Sequence, residues 1–149
     1  MSKEEKWAQL CSKRGNFELE MRKMVKQVIL LGFQGNKINA KNYVMNKIYN
    51  DQSLRRKYFS YDYADLFDSK KCNIFLKSLS TLLTGKWDWF SSFMGNISQD
   101  DFIHTMSILN TEGRFDAHAK IPDDGDMILF DAAISKLERI ISEFKNLME

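Results

Sequence analysis

Asp124-Gly125-Asp126-Met127-Ile128-Leu129-Phe130-Asp131-Ala132-Ala133-Ile134-Ser135-Lys136-Leu137 opens a stretch that continues to Met148, and its reading decides the fold. Met127, Phe130, Ile134, Leu137, Ile141, Phe144 and Met148 recur at alternating steps of three and four. Side chains at that spacing share one face of an α-helix, which predicts a long final helix with a seam for a bundle or a partner helix. Asp123, Asp124 and Asp126 suit the N-terminus of that helix, where unpaired N–H groups favour negative charge. They lack the ligand pattern of a calcium loop.

The same helical period recurs upstream. Ser98 with Asp101 forms a capping pattern ahead of Phe102, Met106 and Leu109, which line one face. Trp87-Asp88-Trp89-Phe90 opens a short aromatic helix through Phe93 and Met94. Lys70 to Leu83 reads as a helix with Phe75, Leu79 and Leu82 as its stripe, Leu76 and Leu83 alongside, and Gly85 closing it. Ala40 to Tyr49 presents Val44, Ile48 and Tyr43 at helical spacing. Asn16 caps a helix striped by Phe17, Met21, Met24, Val28 and Leu31 and ended by Gly32 and Gly35. Before it, Ser2 and Glu5 begin a first helix that runs to about Lys13 and stops at Gly15. One proline and 7 glycines are too few breakers for a many-turned β-sandwich, and strand patterns are nearly absent. The expectation is an all-α fold over residues 1–149, a single domain built as an antiparallel bundle of four to five helices.

Composition narrows the class further. No apolar run exceeds the four residues of Val28 to Leu31, far short of a membrane span, and the N-terminus lacks the apolar segment of a signal peptide. Cys11 and Cys72 form no Cys-x-x-Cys pair and read as reduced thiols, so the expected location is cytoplasmic, away from membranes. Residues 1–60 carry 13 Lys+Arg against 5 Asp+Glu, a net +8, while residues 61–149 carry 9 against 15, a net −6. A basic half attracts phosphate; equally, complementary halves attract each other within the fold or across a dimer. Arg55-Arg56-Lys57-Tyr58-Phe59 is read in two ways. It is either a nucleic-acid contact, with cations on the backbone and aromatics under bases, or a solvated turn with its aromatics in the core.

Phosphate-loop, dinucleotide and zinc motifs are missing, so chemistry has to be sought elsewhere. Of the two histidines, His104 falls on the polar side of its helix. The other lies in Ile108-Leu109-Asn110-Thr111-Glu112-Gly113-Arg114-Phe115-Asp116-Ala117-His118-Ala119-Lys120. If this segment is helical, Asn110, Arg114 and His118 stand at successive steps of four on one face. A guanidinium holds a phosphate through a planar fork, and an imidazole exchanges a proton near neutral pH. Together they suit attack of a ribose 2′-OH on the adjacent phosphate, a reaction that selects RNA over DNA and calls for no metal or other cofactor. Asp116 would hold the imidazole in one tautomer or form a turn. Asn110 would orient a phosphate or cap local backbone, and Lys120 adds positive charge.

Trp87, Phe90 and Phe93, the apolar helix after them, Leu109-Asn110, and Arg114 followed by Asp116-Ala117-His118-Ala119 resemble the HEPN superfamily (higher eukaryotes and prokaryotes nucleotide-binding domain). A weaker echo runs from Phe17-Glu18 through Arg22, and the long final helix also fits. The resemblance implies a helical bundle that forms a homodimer with two Arg/His pairs facing one cleft. It further implies a metal-independent endoribonuclease of the toxin–antitoxin or phage-defence kind, with RNA and a neutralising or regulatory protein as partners. The family motif usually separates Arg and His by four to six residues and places a polar residue after Arg. Here three residues intervene, Phe115 follows Arg114, and alignment on Asp116-Ala117-His118 puts Gly113 in the arginine slot. That departure leaves a second expectation, a catalytically inactive HEPN-like module for dimerisation or for binding protein or RNA.

Overall fold

The computed structural model describes residues 1–72, 74–112 and 121–148, without the side chains of residues 111 and 112. Among the described residues every regular element is helical and there is no strand, which establishes the all-α class. The helices are α1 (Lys3–Gly32), α2 (Lys37–Ile48), α3 (Gln52–Lys57), α4 (Tyr63–Leu66), α5 (Leu76–Thr84), α6 (Trp87–Phe90), α7 (Gln99–Glu112) and α8 (Asp124–Met148). A 3₁₀ turn at Ser91–Phe93 follows α6. No described helix is long and apolar enough to cross a membrane.

The chain divides into two compact units, and the division falls inside α1. Unit 1 comprises Met1–Met21 and Phe93–Glu149. Its core is the predicted seam of α8, where Met127, Phe130, Ile134, Leu137, Ile141 and Phe144 are all buried. Phe102, Met106 and Leu109 of α7 are buried as predicted, and the Asp101 amide N–H donates to Ser98 Oγ at 3.1 Å. Asp123 caps α8 in the same way, its carboxylate accepting from the Asp126 amide at 2.8 Å. Three contacts order α1 against α8: Lys3 with Asp124 (3.7 Å), Trp7 edge-on to Phe130 (5.0 Å between centroids) and Glu20 with Lys145 (3.2 Å). Residue numbers rise together along both helices, so the pair is parallel, an arrangement absent from the antiparallel expectation. The chain between them, residues 33–123, carries the other helices rather than one short loop. α7 runs the other way. Phe93 just before it meets Phe144 near the end of α8, and Asp101 binds Lys136 further back, at 2.6 and 2.7 Å.

Unit 2, Arg22–Ser92, gathers the second half of α1 with α2 to α6. α2 packs against α4 and α5, burying Ala40, Val44 and Met45 against Tyr63, Leu66, Leu79, Leu82 and Leu83. Two phenol hydroxyls are tied to backbone, Tyr63 Oη donating to the Lys26 carbonyl at 2.6 Å and Tyr43 Oη to the Leu82 carbonyl at 2.7 Å. Arg22 is buried and donates from Nη2 to the Ile74 carbonyl at 2.6 Å. The Lys86 ammonium sits among three ring faces, 4.7 Å from the centroid of Trp89, 5.2 Å from Tyr43 and 5.4 Å from Phe33.

Five sequence expectations need correction. Gly15 does not stop a helix; α1 passes through it without a break. One internal glycine costs about 1 kcal/mol against alanine. Burying a large apolar side chain returns about 1.5–3 kcal/mol, and Trp7, Leu10, Phe17 and Met21 are all buried along α1. The described residues before α5 (70–72, 74 and 75) are not helical: α5 begins at Leu76, and Phe75, its N-cap, is exposed rather than part of the stripe. The α1 stripe ends before Leu31, which is exposed, because Val25 and Ile29 take the fully buried positions. On α8 the seam ends at Phe144, leaving Met148 partly in solvent. In α2, Tyr43 and Ile48 are half-buried, and Met45 and Tyr49 take the deeper places.

Candidate functional site

Of the residues singled out by sequence, Asn110 stands in the last turn of α7, half-buried. Arg114, Asp116, His118 and Lys120, together with Gly113, lie outside the described residues. The point from which the motif departs is nevertheless well held. Leu109 is fully buried, so the face of α7 at that turn is set by the core. Arg14 Nε donates to the Leu109 carbonyl at 3.2 Å. Arg14, a half-buried residue of α1, therefore positions the turn that carries Asn110, a role that sequence reasoning missed. The available signal was periodicity, since Arg14 interrupts the apolar series Trp7, Leu10, Phe17, Met21 at the step where a buried residue is due.

The second predicted group, Arg55, Arg56 and Lys57, is fully described. Asp51 caps α3, its side chain accepting from the Ser53 amide at 2.7 Å, and the helix is six residues long with no buried residue. Its two aromatics part company. Tyr58 is buried, stacked at 4.5 Å on Tyr49 and edge-on to Tyr61 at 5.2 Å. Phe59 is 80% exposed. The core position of Tyr58 is what the solvated-turn reading expects, and Phe59 departs from that reading. Arg55 donates to the Asn46 amide oxygen at 2.6 Å, and Lys57 Nζ lies 5.2 Å from the Tyr58 ring centroid. Gln52, Arg55, Arg56 and Phe59 line one open concavity. Lys41 of α2, not singled out from sequence, donates to the Phe59 carbonyl at 2.6 Å and sits 5.6 Å from its ring centroid. No described carboxylate is paired with Lys41, Arg55, Arg56 or Lys57.

Other reactive groups have ordinary structural settings. His104 is exposed, as read from sequence. Cys72 is buried, and burial pushes its thiol above the usual range, which makes it a poor nucleophile. Among the described residues no three His, Cys, Asp or Glu side chains are grouped so as to hold a metal. In comparisons with known proteins, no family model, no curated protein and no solved structure matches the chain.

Proposed function

We propose that this protein is an RNA-directed helical domain of the HEPN type, a metal-independent endoribonuclease that works as a homodimer. The observation that carries the reading is the segment Asn110…Arg114…Asp116-Ala117-His118, in which a guanidinium and an imidazole occur within one helical turn of sequence. His118 takes the proton from a ribose 2′-OH, and Arg114 holds the phosphate on which charge accumulates. A second copy of the chain supplies the second imidazole that returns a proton to the 5′-oxygen leaving group. Asn110 and Asp116 orient these groups, and Lys120 adds charge. Support comes from the all-α architecture, from the core-anchored end of α7 that leads into the segment, and from the α3 cations, none of which is ion-paired with a described carboxylate. The setting this implies is a toxin–antitoxin or phage-defence system in the cytoplasm, with a neutralising or regulatory protein as partner.

The test is incubation of the full chain with total RNA in EDTA. The expected products carry 2′,3′-cyclic phosphate and 5′-hydroxyl ends. His118→Ala is expected to slow the reaction by about 10²–10⁴-fold, the usual worth of general acid–base catalysis. Equal cleavage by both proteins, or none by either, rejects the nuclease reading. A second reading is favoured by Gly113 in the arginine slot: a catalytically inactive module that dimerises or binds RNA or protein through the same surface. It predicts a dimer by light scattering whose biological effect survives His118→Ala.

A further inference from the structure

The α3 corner presents a combination that folding does not require. A phenyl ring is left 80% in solvent and forgoes the gain of burial, while its neighbour Tyr58 is packed fully inside. Lys41 lies beside that ring, and Arg55 and Arg56 line a concavity with it; none of these three cations is ion-paired with a described carboxylate. Lys41 occupies one side of the ring and pins its backbone carbonyl, and Tyr58 fixes the preceding residue in the core, so Phe59 is held out from a rigid base. We infer that this corner is a docking platform for single-stranded RNA, with one unpaired base stacked on Phe59 and the flanking phosphates on Arg55, Arg56 and Lys41. The inference deepens the RNA-directed reading and rests on it, but adds the strandedness of the target and the residue that reads it.

The chemistry favours a single strand. Every base offers a π-face, but inside a duplex both faces are already stacked, so an isolated protruding ring gains contact only with an unpaired base. An acidic protein segment would satisfy the cations and leave the ring without a partner. The concavity shared by Arg55, Arg56 and Phe59 places phosphate donors beside the stacking surface, the arrangement by which strand-binding grooves track a backbone while bases stack.

The experiment uses a fluorescent twelve-nucleotide 2′-O-methyl strand, which cannot undergo attack by its own 2′-oxygen, so binding is read apart from cleavage. Saturable binding by the full chain is expected, with duplex of the same length binding more weakly. Phe59→Ala should weaken binding about tenfold, the scale of one base–aromatic stack, and Phe59→Trp should retain it. Replacing both Arg55 and Arg56 by Ala should make the log–log salt slope shallower by about 1.4, two phosphate contacts on a single strand. Both sites are exposed, so the variants should keep the far-UV circular dichroism of the parent. No saturable binding, or Phe59→Ala binding as tightly as wild type, overturns the platform. So does polyglutamate binding as tightly as the strand, which would assign the corner to an acidic protein. Loss of cleavage with binding intact would reject the nuclease and keep the platform.

Discussion

Gln34 adopts φ +56°, the left-handed region that side chains with a Cβ enter at a cost of about 1–2 kcal/mol. It does so because α1 ends there in a Schellman motif, the Gln34 amide bonding the Leu31 carbonyl and the Gly35 amide bonding the Leu30 carbonyl, both at 2.8 Å. Gln34→Gly is therefore expected to raise stability by about 0.5–1 kcal/mol, the strain relieved less the added freedom of the unfolded chain, measured by urea unfolding. Gly32, two positions earlier, is required for space. A Cβ there would meet the Trp89 ring at 2.3 Å. Gly32→Ala should cost about 1–3 kcal/mol through overpacking and shift Trp89 off Lys86, visible as changed tryptophan fluorescence. Both glycines were legible as the end of a helix. That the left-handed position would fall to a glutamine, and that a tryptophan 57 positions along would press on the other, were not.

Among the elements, α1 shows how a local signal loses to a longer one. Gly15 and Asn16 form a plausible stop and cap, yet Trp7, Leu10, Arg14, Phe17, Met21, Met24 and Val28 keep one unbroken three–four rhythm through them. The space around a Cβ at position 15 is open. Gly15→Ala should thus stabilise the protein by about 1 kcal/mol, checked by urea titration, because helix propensity is gained with nothing displaced. A loss would show that the helix breaks there in solution. At the other end of the chain, Asp123→Ala should remove the α8 cap and cost about 1 kcal/mol, with Asp123→Ser recovering most of it. α5 began later than its pattern suggested. Lys70, Lys71 and Cys72 follow the turn closed on Asp68, whose carbonyl accepts from the Lys71 and Cys72 amides, so those residues were already committed to another backbone path.

For the molecule as a whole, buried phenols set the response to alkali. Burial raises Tyr43 from an ordinary phenol's 10.0 to about 12 and pushes Tyr49 and Tyr63 up as well. Between those pH values the unfolded chain has released phenol protons that the folded chain retains, so the unfolded state is favoured as pH rises. The stability these groups contribute is complete below pH 10 and is lost as pH climbs through 12. The urea midpoint should fall across that window, and fall less steeply in Tyr63→Phe. That variant also loses its bond to the Lys26 carbonyl and should start about 1 kcal/mol lower at neutral pH. A midpoint unchanged across the window would mean that the phenols are open to solvent.

Helical class, the caps at Ser2 and Ser98, the acidic N-terminus of α8, and the buried faces of α7 and α8 follow from sequence alone. Each rests on residues three or four positions apart, and such neighbours meet whatever the rest of the chain does. Asn110, Arg114 and His118 were likewise picked out by spacing and side-chain chemistry. Tertiary structure decided what depends on distant partners. It made α1 and α8 parallel and kept α1 whole across Gly15. It sent Tyr58 inward and Phe59 outward, and it brought Arg14 to the carbonyl of Leu109, 95 residues away. The physical reason is that burial is shared between elements: which of two adjacent apolar side chains is covered depends on the surface that arrives opposite, and no local pattern contains it.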